Sequence, residues 1–321
     1  ELETTVSRLI PLLQNSDESV QCNTAKTFQF FFDEEEAVIQ RKMLALSPLI
    51  KLLKSANTGV AICAANALSS AERQRAVLPL LQQLELRKDK KLKAAIIRAL
   101  GLIRDTRSIK PLQKWVTALS SPPEIVGAGL IALSRLNDPQ LPAFLDHLAN
   151  SPGRAIFKRF DILTYIFENS EGITLPFLSL KSVFHKIYSL NKSNTEKNSI
   201  SMLNTIRAGR LDDYEEEVLY YINHKNNAIS YSAINTLASL GTSSSIVTFE
   251  NTLLKLIQTG QVRILLLPEL IEYPYSSHFI KSLSEHLISQ LEFNPTGLQN
   301  ILDLLNSLSP SSASILFNYI T

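Results

Sequence analysis

Residues 90–116 read KKLKAAIIRALGLIRDTRSIKPLQKWV. Leu92, Ile96, Ala99, Leu100 and Ile103 fall at i, i+4, i+7, i+8 and i+11, which is one face of an α-helix. The remaining positions of AIIRALGLI are nearly all apolar, and a helix apolar on almost every side is normally buried. A polar turn, RDTRS, then leads into a second apolar stripe in IKPLQKWV. One helix pair cannot cover such a surface alone, so copies of it must stack. The stretch is therefore read as one unit of a repeat, and the other units are sought along the chain.

Prolines mark them. Pro11, Pro48, Pro79, Pro111, Pro142 and Pro176 follow one another at steps of 37, 31, 32, 31 and 34 residues. Each sits in a similar phrase, such as SPLIKLL, VLPLLQQL or LPAFLDHL. Because proline suits the first turn of a helix, each phrase predicts the opening of a first helix, A. The apolar skeleton of the second helix, B, recurs from Val20, Val60, Leu92, Ile125, Ile156 and Ile229. The starts at 60, 92, 125 and 156 step by 32, 33 and 31, the proline period again. Turns such as SDES, SANTG and RKDKK separate A from B, as expected for antiparallel neighbours. The first repeat is longer because FQFFFDEEEAVIQRKMLAL extends its B helix or adds a loop.

Over residues 45–138 the pattern resembles the HEAT-repeat family. The carriers are a Pro-bearing A helix, then Asp or Asn, then Val, Leu or Ile, then Ala-Ala and Ala-Leu-Gly. SPLIKLLKSANTGVAICAANALSS (47–70) and the opening stretch match best, and the step near 32 resembles the short variant named from phycobilisome lyase subunits. The family's Asp-x-x-Val-Arg pattern is kept in part, by Asp17 with Val20 and by Asp89 with Leu92 and Lys93. Ala61, Val126 and Ser230 fill the expected basic position elsewhere. The expectation is an all-α fold, a right-handed α-solenoid (a HEAT/armadillo-like superhelix) of about nine stacked helix pairs. Residues 1–170 would hold the N-terminal HEAT-like repeats. Residues 171–321, where the period blurs, would hold degenerate helical repeats continuous with them. Leu68, Leu100 and Leu133 share one slot in three B helices and are expected to be almost wholly buried.

Composition agrees with a folded helical protein. Of 321 residues 45% are apolar and 19% charged, and only ten are glycine, while Leu and Ala dominate. The net charge of +2 sets up no global field that would select a partner. Cys22 and Cys63 read as buried thiols in a reducing compartment. No run reaches the length of a membrane span. The first residue, Glu1, suggests that something upstream has been removed, a tag, a signal peptide or a membrane anchor. The chain is thus expected in the cytoplasm or on the cytoplasmic face of a membrane, with export left open.

Catalytic machinery is not found. There is no phosphate-binding glycine loop, HExxH, Cys-x-x-Cys or G-x-S-x-G, and five scattered histidines form no ligand set. The acidic runs DEEE (33–36) and DDYEEE (212–217) read as helix openings that complement the dipole. Trp115 reads as core packing. Neither a cofactor nor a metal is expected. Twelve Lys and Arg between Arg73 and Lys114 make a basic segment, with Lys88, Lys90, Lys91 and Lys93 in its A–B turn. On the B helices, Lys26, Asn66 and Arg98 stand six residues after the first core position, and Gln29 and Ser69 nine after it. These turn away from the A layer and are the candidate partner-binding residues. The expected function is a non-enzymatic protein-binding scaffold or adaptor, using the concave surface of the solenoid, for another protein that could carry an acidic surface. One alternative is a phycobilin-lyase-type subunit that binds a tetrapyrrole and its acceptor protein. The other is a nucleic-acid-binding solenoid.

Overall fold

The computed structural model describes residues 7–31, 39–70, 73–151, 153–170, 177–191, 195–222, 224–240, 243–258 and 276–293. These form helices and short 3-10 turns, with no strand among the described residues. The chain divides into two compact units, Glu1–Asn194 and Thr195–Thr321.

In the first unit a 3-10 turn, Ile10–Gln14, precedes ten helices. They are α1 (Glu18–Phe31), α2 (Ile39–Leu53), α3 (Thr58–Ser70), α4 (Arg73–Leu86) and α5 (Lys90–Ile103). Next come α6 (Ile109–Thr117), α7 (Pro123–Arg135), α8 (Leu141–Asn150), α9 (Ile156–Asn169) and α10 (Phe177–Leu190). The odd-numbered helices through α9 are the B helices, and they pack in chain order, α1 on α3, α3 on α5, α5 on α7 and α7 on α9. A helices cover them from one side, α2 on α3, α4 on α5 and α6 on α7. This is an all-α solenoid. Leu68, Leu100 and Leu133 are each 0% exposed, as their shared slot requires.

The Asp or Asn ahead of each B helix has a physical role. Asp89 Oδ1 accepts from the Leu92 backbone N–H at 2.8 Å, and Asn57 Oδ1 accepts from Gly59 at 2.8 Å. Each fills an N–H at the helix start that has no partner within the helix. The links between repeats are polar and one period long. Arg87 Nη2 donates to Ser55 O at 2.6 Å across 32 residues, and Arg154 Nη1 donates to Ser121 O at 3.2 Å across 33. Arg154 and Arg159 are buried, at 4% and 5% exposure, with no carboxylate partner among the described residues. Arg154 also donates to Ala118 O at 2.9 Å, and Arg159 to Ala149 O at 2.9 Å. Each guanidinium thus sits on carbonyls at the negative end of an A helix, which offsets its burial.

Two expectations are corrected. Pro48 and Pro79 lie inside α2 and α4, not in their first turns. The A helices begin well ahead of these prolines, and the residues VIQRKMLAL that lengthen the first repeat belong largely to α2. Residues 32–38, including DEEE, lie outside the described residues. Cys22 and Cys63 are also not thiols. They form a disulfide between α1 and α3, with Cα atoms 5.3 Å apart. The two side chains do not share a register slot, since Cys22 is two residues after Val20 and Cys63 three after Val60. Direct packing of α1 on α3 brings them together anyway.

Gly101 fixes how closely α5 and α7 approach. A Cβ placed on it would stand 2.7 Å from both Cα and Cβ of Ala132, closer than real side chains come. Gly101→Ala should therefore force these helices apart. Alanine's better helix propensity returns about 1 kcal/mol at most. Overpacking against backbone costs about 1–3 kcal/mol, so the variant should be destabilised. A melting temperature at or above that of the unsubstituted protein would show that the contact is slack.

In the second unit α11 (Glu196–Gly209), a 3-10 turn (Asp212–Tyr214), α12 (Glu215–Ile222), α13 (Asn227–Leu240), α14 (Ser243–Gln258) and α15 (Ser277–Phe293) follow in order. α13 packs on α11, α12 and α14. The period persists here in the hydrogen bonds. Thr236 Oγ1 donates to Leu203 O at 3.2 Å across 33 residues, and Asn226 Nδ2 to Glu196 Oε1 at 2.6 Å across 30. Glu215, Glu216 and Glu217 open α12, where their charge meets the positive end of the helix.

Candidate functional site

α3, α5 and α7 each present one side to an A partner and two to neighbouring B helices. The fourth side faces away from these partners. Lys26 on α1 is exposed, while Asn66 on α3 and Arg98 on α5 are half-buried. Gln29 is half-buried as well, and Ser69 is buried, its hydroxyl donating to Asn66 O at 2.6 Å. The equivalent positions on α7 and α9, Ile131 and Ile162, are 1% and 0% exposed. The polar column thus runs over three helices and stops.

Much of the basic segment is committed to the fold. Lys90 Nζ lies 2.7 Å from Glu124 Oε1, on an exposed pair that joins the start of α5 to the start of α7. Arg107 pairs with Asp105 at 2.8 Å and donates to Gln74 O at 2.8 Å, and Lys114 lies 3.3 Å from Glu85. Lys93 is buried, with Nζ 3.8 Å from the centre of the Trp115 ring. Burial lowers the Lys93 pKa from the ordinary lysine value, Glu85 opposes this and Lys114 adds to it. The ring face offers compensating negative potential. Trp115 is thereby a half-buried platform for Lys93. Of the four lysines in the turn, Lys88 and Lys91 are exposed and make no hydrogen bond or ion pair among the described residues.

Changing Lys88, Lys90 and Lys91 together to Gln should leave the thermal unfolding curve nearly unmoved, because all three side chains sit in water. A marked loss of stability would mean that the Lys90–Glu124 pair is structural.

Two basic residues that the repeat columns did not single out stand near Arg98. Arg135, at the end of α7, is half-buried, and Arg104 caps α5 with φ 59°. Burial, then the charges of Arg104 and Arg98, hold the Arg135 guanidinium below its ordinary value. Arg98 Nη1 approaches Asn169 Oδ1 of α9 at 3.5 Å, reaching across α7. Tyr165 of α9 covers Gly127, where a Cβ would stand 2.6 Å from the tyrosine ring. Its hydroxyl is buried without a hydrogen-bond partner, and burial raises the phenol pKa against the pull of Arg98. Among the described residues no group of His, Cys, Asp and Glu could hold a metal ion, and no helix is long and apolar enough to cross a membrane.

Comparison with known proteins adds the following. A search of curated proteins finds no match. A crystal structure of an engineered protein from the Northeast Structural Genomics Consortium is 16% identical, with 98% of this chain and 92% of that one covered, at a TM-score of 0.39. The family model for HEAT repeats matches residues 77–159, which span most of α4, all of α5 to α8 and the start of α9. These are the helices whose stacking and one-period links are described above, and over them the chain is similar to HEAT repeats.

Proposed function

We propose that the chain is a non-enzymatic scaffold that holds another protein on the B-helix face of its first unit. HEAT repeats generally mediate protein interactions, which supports the class of function. The observation that carries the location is the column Lys26, Asn66 and Arg98, polar and accessible on three successive B helices. Nucleic acid is the weaker reading, because a backbone-tracking surface needs many unpaired cations and at least five of the twelve here are engaged internally. The disulfide supports a compartment oxidising enough to keep it, in place of a reducing one.

The test is affinity capture from the source organism with the disulfide-intact protein and with a Lys26→Glu, Asn66→Glu, Arg98→Glu variant. A protein recovered by the first and lost by the second supports the face. Equal recovery by both, at equal melting temperature, moves the binding surface elsewhere.

A further inference from the structure

We propose that Arg98, Arg104 and Arg135 together form a receptor for the carboxylates of an acidic segment on the partner protein. The inference rests on the scaffold reading and names the chemistry of what is held.

The geometry starts from Gly101 and Ala132, where α5 and α7 touch. Arg98 and Arg104 lie three residues to either side of Gly101, and Arg135 lies three after Ala132. Each arginine is therefore about one turn from the same backbone contact. Across that contact the charges of Arg104 and Arg98 both act on Arg135. The fold does not neutralise them. The hydrogen bond of Arg98 goes to a neutral amide, Asn169, and Arg104 and Arg135 have no hydrogen bond or ion pair from their side chains among the described residues. Glu124, whose charge reaches Tyr165, holds Lys90 at 2.7 Å through Oε1 and makes no hydrogen bond to any of the three arginines among the described residues.

Such a cluster is costly when empty, since like charges repel and two of its members are half-buried. An arriving carboxylate removes that repulsion and can accept two parallel N–H bonds from one guanidinium. Acidic side chains fit better than a lipid surface, because Arg98 and Arg135 are recessed between helices where a planar headgroup layer does not reach. A nucleic-acid backbone would need the charge continued along the layer, and Asn66, Ile131 and Ile162 do not continue it.

Binding of a fluorescein-labelled octaglutamate peptide, followed by anisotropy at low and at physiological ionic strength, tests this. The expected result is binding that weakens with salt and falls about tenfold or more in an Arg98→Gln, Arg135→Gln double variant. Lys54→Gln, an exposed change just beyond α2, should leave it unaltered. The double variant should melt close to the unsubstituted protein, since the repulsion it relieves offsets the 3.5 Å hydrogen bond to Asn169 that it loses. No peptide binding, equal binding by the double variant, or a clear drop in its melting temperature overturns the proposal. Tighter binding of a single-stranded DNA of equal charge, lost in the same variant, overturns the acidic-protein assignment in favour of nucleic acid. Arg98→Gln, Arg135→Gln protein that still captures the native partner, while a Lys26→Glu, Asn66→Glu variant does not, removes the arginine receptor and leaves the scaffold face standing.

Discussion

Reduction of the Cys22–Cys63 disulfide should cost the first unit about 4 kcal/mol, since the chain-entropy estimate for a closed loop of 41 residues gives that value. The loss should be local. In a stacked array each repeat touches only its neighbours, so freeing α1 from α3 loosens the first repeats and leaves those beyond to their own contacts. Amide exchange should accelerate in α1 and α3, and change little in α7 and α9. Cys63 is buried, so the bond should resist mild reductant in the folded protein and yield after denaturation. Alkylation read by mass spectrometry decides the matter. Non-reduced, denatured protein should take up no label, and reduced protein should take up two. Two labels without reductant would return both cysteines to the thiols that the sequence reading expected.

The repeat was legible where the signal is periodic and local. Apolar positions from Val60, Leu92 and Ile125 specify a helical face without knowledge of what lies opposite, and the structure buries that face. The caps were legible too, since Asn57 and Asp89 act on N–H groups two or three residues away. The prolines misled about the A helices because Pro48 and Pro79 mark a constant place in the repeat and not a helix start. The helix boundaries depend on residues ahead of them that carry no punctuation of their own.

What joins different repeats was hidden. Arg135 occupies the slot of Leu102 in the previous repeat, and Arg104 lies past the end of its helix. Reading column by column therefore pairs neither with Arg98. The missing signal is Gly101, whose absent side chain lets α7 slide into contact. Lys93 was counted with its exposed neighbours for the same kind of reason, as nothing nearby in sequence shows that Trp115 of the next A helix lies beneath it. Cys22 and Cys63 also differ by one place in register, so the column reading kept them apart.

Leu100→Ala should lower stability by about 2–5 kcal/mol, the range for truncating a fully buried leucine, where transfer and cavity costs add. Leu100 is 0% exposed on α5, a helix held between α3 and α7 and covered by α4. Three neighbours already anchored elsewhere have little freedom to collapse into the gap, which places the cost toward the upper end. A control lies two residues away on the same helix. Leu102 is 44% exposed, and Leu102→Ala deletes the same atoms where water already stands, so its effect should fall within about 0.5 kcal/mol. The difference between two chemically identical truncations measures the register itself. For a unit of this size each kcal/mol moves the melting temperature by about 2–4 °C, so the two variants separate clearly in a thermal scan. Equal losses from Leu100→Ala and Leu102→Ala would mean that the face of α5 turned toward the core is not the one described.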